Sequence, residues 1–225
     1  MDIVTTIIST LERELPDTAV LETATFGMGC FWSPDAQFGS LSGVIRTRTG
    51  YAGGTSNSPT YRQMGDHTET IQVEFDPGQI HFEEIVREFW RSHYPNRDAY
   101  KERQYISLIF WQSEAQRLSL EKLKKEKEQQ LNEPVETEIR PFDGFTEAEE
   151  RHQKYYLKRY PKALDQLAEL YPDASLLTRS TFAARLNGFV KGFGSRQQLL
   201  EEIGEWPIAD KYRALLRQVL LELKW

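Results

Sequence analysis

Between Ala24 and Phe38 the chain changes its pattern at a pair of glycines, and no other stretch constrains the fold as much. Ala24-Thr25-Phe26 is an apolar lead-in of strand character. Gly27 and Gly29 bracket Met28 and allow backbone conformations closed to other residues, as well as close approach by a ligand. Ser33-Pro34-Asp35 suits a first helical turn, where the N–H that proline lacks is no loss. An apolar-periodic segment follows. The predicted order is strand, tight turn, Cys30, helix.

Cys30 is the only cysteine in 225 residues. The thiolate is the nucleophilic form of the side chain, and a helix N-terminus turns unpaired N–H groups and positive dipole toward it, lowering its pKa. The plainer reading is a buried structural cysteine. Two glycines and the aromatic pair Phe31 and Trp32 around it favour a reactive thiol.

The length suits one large domain or one domain with an appendage. A hydrophobic fraction of 39% and an aromatic fraction of 12% supply a packed core, while a net charge of -6 argues against non-specific nucleic-acid binding. No apolar run approaches membrane-spanning length, and the first residues lack the basic region and cleavage site of a secretory signal. A lone cysteine forms no internal disulfide, so a reducing cytoplasm is the expected compartment.

Along the chain, residues 2–14 predict a short amphipathic helix that ends before Pro16. Strands are expected over 20–28 and 43–51, with the cysteine helix over 33–41 between them. Residues 52–66, rich in turn formers, predict a long loop of the kind that is usually functional or disordered. In the next strand Glu69, Ile71, Val73 and Phe75 share one face, and Thr70, Gln72 and Glu74 the other. The apolar face should be buried, which sets Glu69 at the mouth of a hydrophobic surface and raises its pKa into the range of a proton donor. A strand starting after Glu69 would leave that carboxyl merely solvated.

Residues 80–93 predict a strongly amphipathic helix. A polar loop follows over 96–103, then a central strand over 105–111 and a charged covering helix over 113–132 with Leu118 and Leu131 inward. A strand over 135–141 and a helix over 148–160 follow. From Lys162 onward only helices are expected, over 163–171, 181–186, 196–203 and 208–223. A glycine-aromatic loop at 187–194 interrupts them.

His67, His81, His93 and His152 show no metal-site spacing, so no metal and no bound cofactor are expected. His67-Thr68-Glu69 matches the H-x-E of zinc deaminases without the accompanying P-C-x-x-C. A Cys-His hydrolase, pairing Cys30 with His67 or His152, stays open. What coheres is a nucleophilic thiol, an apolar-aromatic collar, a neutral carboxyl and several tyrosines. Those parts suit attack on a polar, neutral electrophile whose developing oxyanion is protonated.

Gly29-Cys30-Phe31-Trp32, Gly50-Tyr51-Ala52-Gly53-Gly54, Asn57-Ser58-Pro59-Thr60-Tyr61, His67-Thr68-Glu69, Phe75-Asp76-Pro77, Gln104-Tyr105 and His152-Gln153 occur in the order and approximate spacing of A-type peptide methionine sulfoxide reductases. The chain resembles that family over roughly residues 20–160. The resemblance implies an α+β fold with a two-layer ferredoxin-like core and a mixed sheet. Residues 1–161 would form the core with its short N-terminal helix, and residues 162–225 an all-helical extension packed on it.

It also implies an oxidoreductase of protein repair and oxidative stress, a peptide-methionine (S)-S-oxide reductase. Cys30 would attack the sulfoxide sulfur and become a sulfenic acid. Glu69 would protonate the oxygen, Tyr61 and Tyr105 would hydrogen-bond it, and Phe31 and Trp32 would hold the substrate methyl. Core packing is the plainer role for each aromatic.

Three features depart from the family pattern. The loop between Tyr61 and His67 is short and lacks a cysteine often found there. An aspartate usual upstream of the Gln-Tyr pair has only Asp98 nearby. The tail is helical and lacks the resolving cysteines many members carry, and its 188–194 segment is a candidate cover for the site. With no second thiol in these 225 residues, an external one must resolve the sulfenic acid: thioredoxin, glutathione with glutaredoxin, or another small thiol. The rival reading is a non-catalytic thiol redox sensor or methionine-sulfoxide binding module.

Overall fold

The computed structural model describes residues 21–97 and 102–225. The helix expected over 2–14 and Asp98 lie outside the described residues. Six strands, β1 (Glu22–Met28), β2 (Val44–Ala52), β3 (Thr68–Phe75), β4 (Ser107–Trp111), β5 (Glu138–Pro141) and β6 (Thr146–Glu147), form one sheet in the order β5-β4-β1-β3-β2-β6. β1 is antiparallel to β3 and β4, and β2 is antiparallel to β3 and β6, while β4 and β5 are parallel. β1 and β2 therefore run the same way with β3 between them, joined by helix α1 (Trp32–Gly39). β3 and β4 likewise flank β1 and are joined by α2 (Phe82–Ser92). Two interleaved β-α-β units of this kind are the ferredoxin-like arrangement, as expected.

Apolar periodicity explains the main layer. The β3 residues Ile71, Val73 and Phe75 face a cluster that includes Phe26 and Ala24 of β1, Phe38 of α1, and Ile85, Val86 and Phe89 of α2. Phe26 meets Phe38 and Phe89 edge-on, with centroids 4.7 and 5.1 Å apart. Helix α3 (Glu114–Leu131) adds Leu120 and Leu123. The other side of the sheet is covered as well: Thr68, Thr70 and Gln72 are buried, and Ala52, Leu108 and Phe110 pack under Phe142 and Phe145.

Three local expectations give way. Leu118 is 53% exposed rather than inward. Leu120 and Leu123 set the inward phase of α3, and a residue two positions from Leu120 points nearly opposite. The strand expected over 135–141 shortens to Glu138–Pro141. In place of a helix over 148–160 the chain makes two short 3-10 turns, Glu150–His152 and Leu157–Arg159, and Lys154 between them adopts a φ of 50°. Long-range bonds impose that path: the Gln153 amide accepts from Thr49 N and donates to Thr49 O, and Lys154 Nζ reaches Asp35.

Beyond it lie α4 (Pro161–Ala168), α5 (Ala174–Arg179), α6 (Thr181–Lys191), α7 (Arg196–Glu205) and α8 (Asp210–Glu222). Leu167, Phe182, Leu186, Ile203, Leu216 and Leu220 give these helices a cluster of their own. Helix α5 was not foreseen from the sequence, and α6 continues through Gly188 to Lys191, where a loop was expected. No helix among the described residues is long and apolar enough to cross a membrane.

Candidate active site

Cys30 lies just past a sharp turn. Gly29 takes a φ of 89°, a value that strains any residue with a Cβ, and α1 begins two residues after the cysteine. The Trp32 N–H is directed at the thiol and lowers its pKa, as a helix start should. That contribution does not prevail. Cys30 is open to solvent, yet the protein crowding it pushes its pKa up, and the negative charge of Glu69 pushes it further. The lowered thiol pKa expected from the helix N-terminus is thus reversed, because desolvation and a neighbouring anion outweigh a single backbone donor.

Glu69 sits in β3, as its alternation indicated, and is 1% exposed. Its Oε2 accepts the Phe31 N–H at 3.1 Å, and its Oε1 accepts from Gln104 Nε2 at 2.8 Å. Burial raises the carboxyl's pKa while those two donors partly restrain it. Gln104 also lies 2.9 Å from the Tyr105 hydroxyl. Its part in the cluster was not foreseen, although its place beside Tyr105 in the Gln-Tyr pair was the available signal. Burial pushes the Tyr105 pKa up to about 12, helped by the charges of Glu69, Tyr61 and Cys30 and by a hydrogen bond with Tyr61. Tyr105 stands in a 3-10 turn (Arg103–Tyr105) before β4 rather than in the strand.

The aromatic collar closes from the C-terminal side. Trp32 lies flat on Tyr155, with centroids 3.7 Å apart, and its Nε1 donates to His152 Nδ1 at 3.2 Å. The His152 ring is 5.3 Å from Phe31 and 4.7 Å from Tyr61. Burial lowers the pKa of His152, which favours the neutral ring that can accept from Trp32. Phe31 is buried, with its ring 6.0 Å from Tyr51, whose hydroxyl donates to Glu149. The other Glu149 oxygen accepts the Tyr61 N–H at 3.2 Å and so anchors that residue at the rim.

Cys30, Phe31, Trp32, Glu69, Tyr61 and Tyr105 are thus brought together. The Cys-His alternative loses its partners: His152 is bound to Trp32, and His67 is held by Gly54 N and Ser56 O within the 52–66 loop. Within the 188–194 segment, Gly188 packs against Ala36 and Ser40, and Lys191 Nζ lies 4.8 Å from the centroid of the Tyr156 ring. No group of three His, Cys, Asp or Glu suited to a metal ion occurs among the described residues.

Comparison with known proteins agrees with this arrangement. The family profile described as peptide methionine sulfoxide reductase matches residues 22–183. A Drosophila melanogaster peptide methionine sulfoxide reductase is 41% identical over 194 residues, which is 84% of this chain and 78% of the relative. Peptide methionine sulfoxide reductase A5 of Oryza sativa subsp. japonica is 43% identical over 208 residues, 88% of this chain and 80% of the relative. Among solved structures, reduced Mxr1 from Saccharomyces cerevisiae is 30% identical with a TM-score of 0.59 and spans 65% of this chain and 89% of its own. Methionine sulfoxide reductase A of Corynebacterium diphtheriae is 29% identical with a TM-score of 0.55, over 64% and 76%. With a single thiol facing a buried carboxyl inside a shared ferredoxin-like core, the chain belongs to the peptide methionine sulfoxide reductase family.

Proposed function

We propose that the protein reduces the S epimer of methionine sulfoxide, free or within proteins, through a sulfenic acid on Cys30. The observation that carries this reading is the coupling of thiol and carboxyl. Glu69 binds the backbone of the residue next to Cys30, and its charge is felt at the sulfur.

In this reading the Cys30 proton passes to Glu69, the thiolate bonds to the sulfoxide sulfur, and the neutral Glu69 gives that proton to the oxygen. The oxygen ends on Cys30 as a sulfenic acid, the substrate sulfur gains two electrons, and the thioether leaves. Tyr61 and Tyr105 hold the oxygen, while Gln104 keeps the Glu69 carboxyl in place. Trp32 and the buried edge of Phe31 receive the substrate methyl. Any disulfide that frees Cys30 must come from outside these 225 residues, which hold no second cysteine. An external thiol attacks the sulfenic sulfur and releases water, and a second thiol then displaces Cys30 from the mixed disulfide. Thioredoxin, glutathione with glutaredoxin, or another small thiol would serve in a reducing cytoplasm. Residues 1–161 act as the reductase core in this reading, and residues 162–225 as a helical unit packed on it.

The test offers N-acetylmethionine S-sulfoxide with dithiothreitol to the parent chain and to Cys30→Ser. Sulfide formed by the parent and lost in the variant supports the reading. Oxidation of the thiol without sulfide product overturns it in favour of a redox sensor. Mass spectrometry after one turnover, with and without glutathione, identifies the resolving adduct.

A further inference from the structure

Asp35, in the first turn of α1, is completely buried, and so is Lys154, whose Nζ lies 2.8 Å from it. The Thr47 hydroxyl and the Lys154 backbone N–H also donate to Asp35. One more donor comes from far along the chain. Asn187 of α6, itself fully buried, places Nδ2 3.1 Å from Asp35 Oδ2, and its Oδ1 accepts the Leu157 N–H at 3.0 Å. The Asn187 amide therefore joins Lys154 in tying the helix that begins two residues after Cys30 to the segment that carries His152, Tyr155 and Tyr156. These are the two walls of the site.

The other end of α1 is held from the same helix. Arg185 donates to Gly39 O at 2.7 Å and Val44 O at 2.8 Å, and its Nε bonds to Glu202 of α7. A cation on the last carbonyls of a helix suits its dipole. The two helices touch through Gly188, where an added Cβ would lie 2.8 Å from Ala36 O and 2.6 Å from Ser40 Cβ. Both Arg185 and Asn187 fall beyond residue 183, where the family match ends.

We propose that Asn187 and Arg185 are positioning residues for the reaction, through which the helical tail sets the cysteine helix against the aromatic wall of the pocket. The proposal rests on the reading of Cys30 as the nucleophile. Removing the Asn187 amide takes one buried donor from Asp35 and the acceptor of the Leu157 N–H, which leaves Asp35 to Lys154 and Thr47, and the sulfur gains room to shift and to meet water.

Two readouts test this on the full chain, with Leu216→Ala as the control. Leu216 is buried within the tail's own cluster, so its truncation destabilises the tail without touching α1. The first readout is the pH midpoint of Cys30 alkylation by iodoacetamide, which needs no sulfoxide. The second is the single-turnover reduction of N-acetylmethionine sulfoxide without reductant, at a temperature where all variants are folded.

Asn187→Ala is expected to lower the single-turnover rate by about tenfold or more, since small misplacements of reacting groups carry costs of that order. Its alkylation midpoint should move down toward the ordinary thiol value as burial is relieved. Leu216→Ala should leave both readouts near the parent's. Gly188→Ala, which wedges the same helix contact without removing a polar group, should follow Asn187→Ala and serves if the latter does not fold. Parent-like rates and midpoints in Asn187→Ala and Gly188→Ala, or equal changes in Leu216→Ala, overturn the proposal. A parent that forms no sulfide sinks the reductase reading and the catalytic part of this proposal with it, while the alkylation midpoints still show whether Asn187 shapes the surroundings of Cys30.

Discussion

Oε2 of Glu69 accepts the backbone N–H of Phe31 at 3.1 Å, so the acid of the site and the residue following Cys30 share one hydrogen bond. Strand β3 is thereby tied directly to the cysteine turn.

Replacing Glu69 by Gln removes the acidic proton but keeps the shape. Single-turnover reduction of the sulfoxide is expected to slow by about a hundredfold, the usual scale of a lost general acid. An unchanged rate would remove Glu69 from the mechanism.

The same variant carries a stability signature. Burial raises the folded-state pKa of Glu69, so the group contributes stability that is full below the ordinary carboxylate value and is lost as pH rises through the raised value. Relative to the parent, Glu69→Gln should therefore gain stability as pH is raised from about 4, the ordinary carboxylate region, to about 7. Urea unfolding at the two pH values checks the sign.

Burial first, and then the Glu69 charge, push the Cys30 thiol up, with the Trp32 N–H opposing them. Alkylation of free Cys30 should accordingly have its midpoint above that of an ordinary thiol. In Glu69→Gln it should move down without returning fully, because burial is the larger cause. A midpoint unmoved by the substitution would mean that the carboxylate does not act on the sulfur.

Trp32→Ala removes the ring stacked on Tyr155 and the donor to His152. If that ring receives the substrate methyl, KM should rise by about tenfold, equivalent to about 1.4 kcal/mol of apolar contact, with a smaller change in kcat. Steady-state kinetics on N-acetylmethionine sulfoxide separates the two parameters.

Lys154→Met leaves Asp35 buried without its cation, and the loss should be about 3–5 kcal/mol in chemical unfolding. Pairing it with Asp35→Asn neutralises the orphaned charge and should recover a good part of that loss. A double variant no more stable than Lys154→Met would show that the ion pair is not the reason for the cost.

Local periodicity carried the elements whose side chains repeat with the backbone. The alternation of β3, the amphipathic stripe of α2 and the turn-cysteine-helix stretch were legible because each is written within about a dozen consecutive residues. The placement of Glu69 on a buried face followed from the same alternation. Tertiary structure alone decided the path of residues 148–160, the clamp by Asn187 and the part played by Gln104. There the winning interactions join positions far apart in sequence, 104 residues between Thr49 and Gln153 and 119 between Asp35 and Lys154, and local propensity yields to them. It also decided the sign of the thiol shift, since a helix start is visible in sequence while the crowding that desolvates the sulfur is a sum over neighbours that only folding brings together.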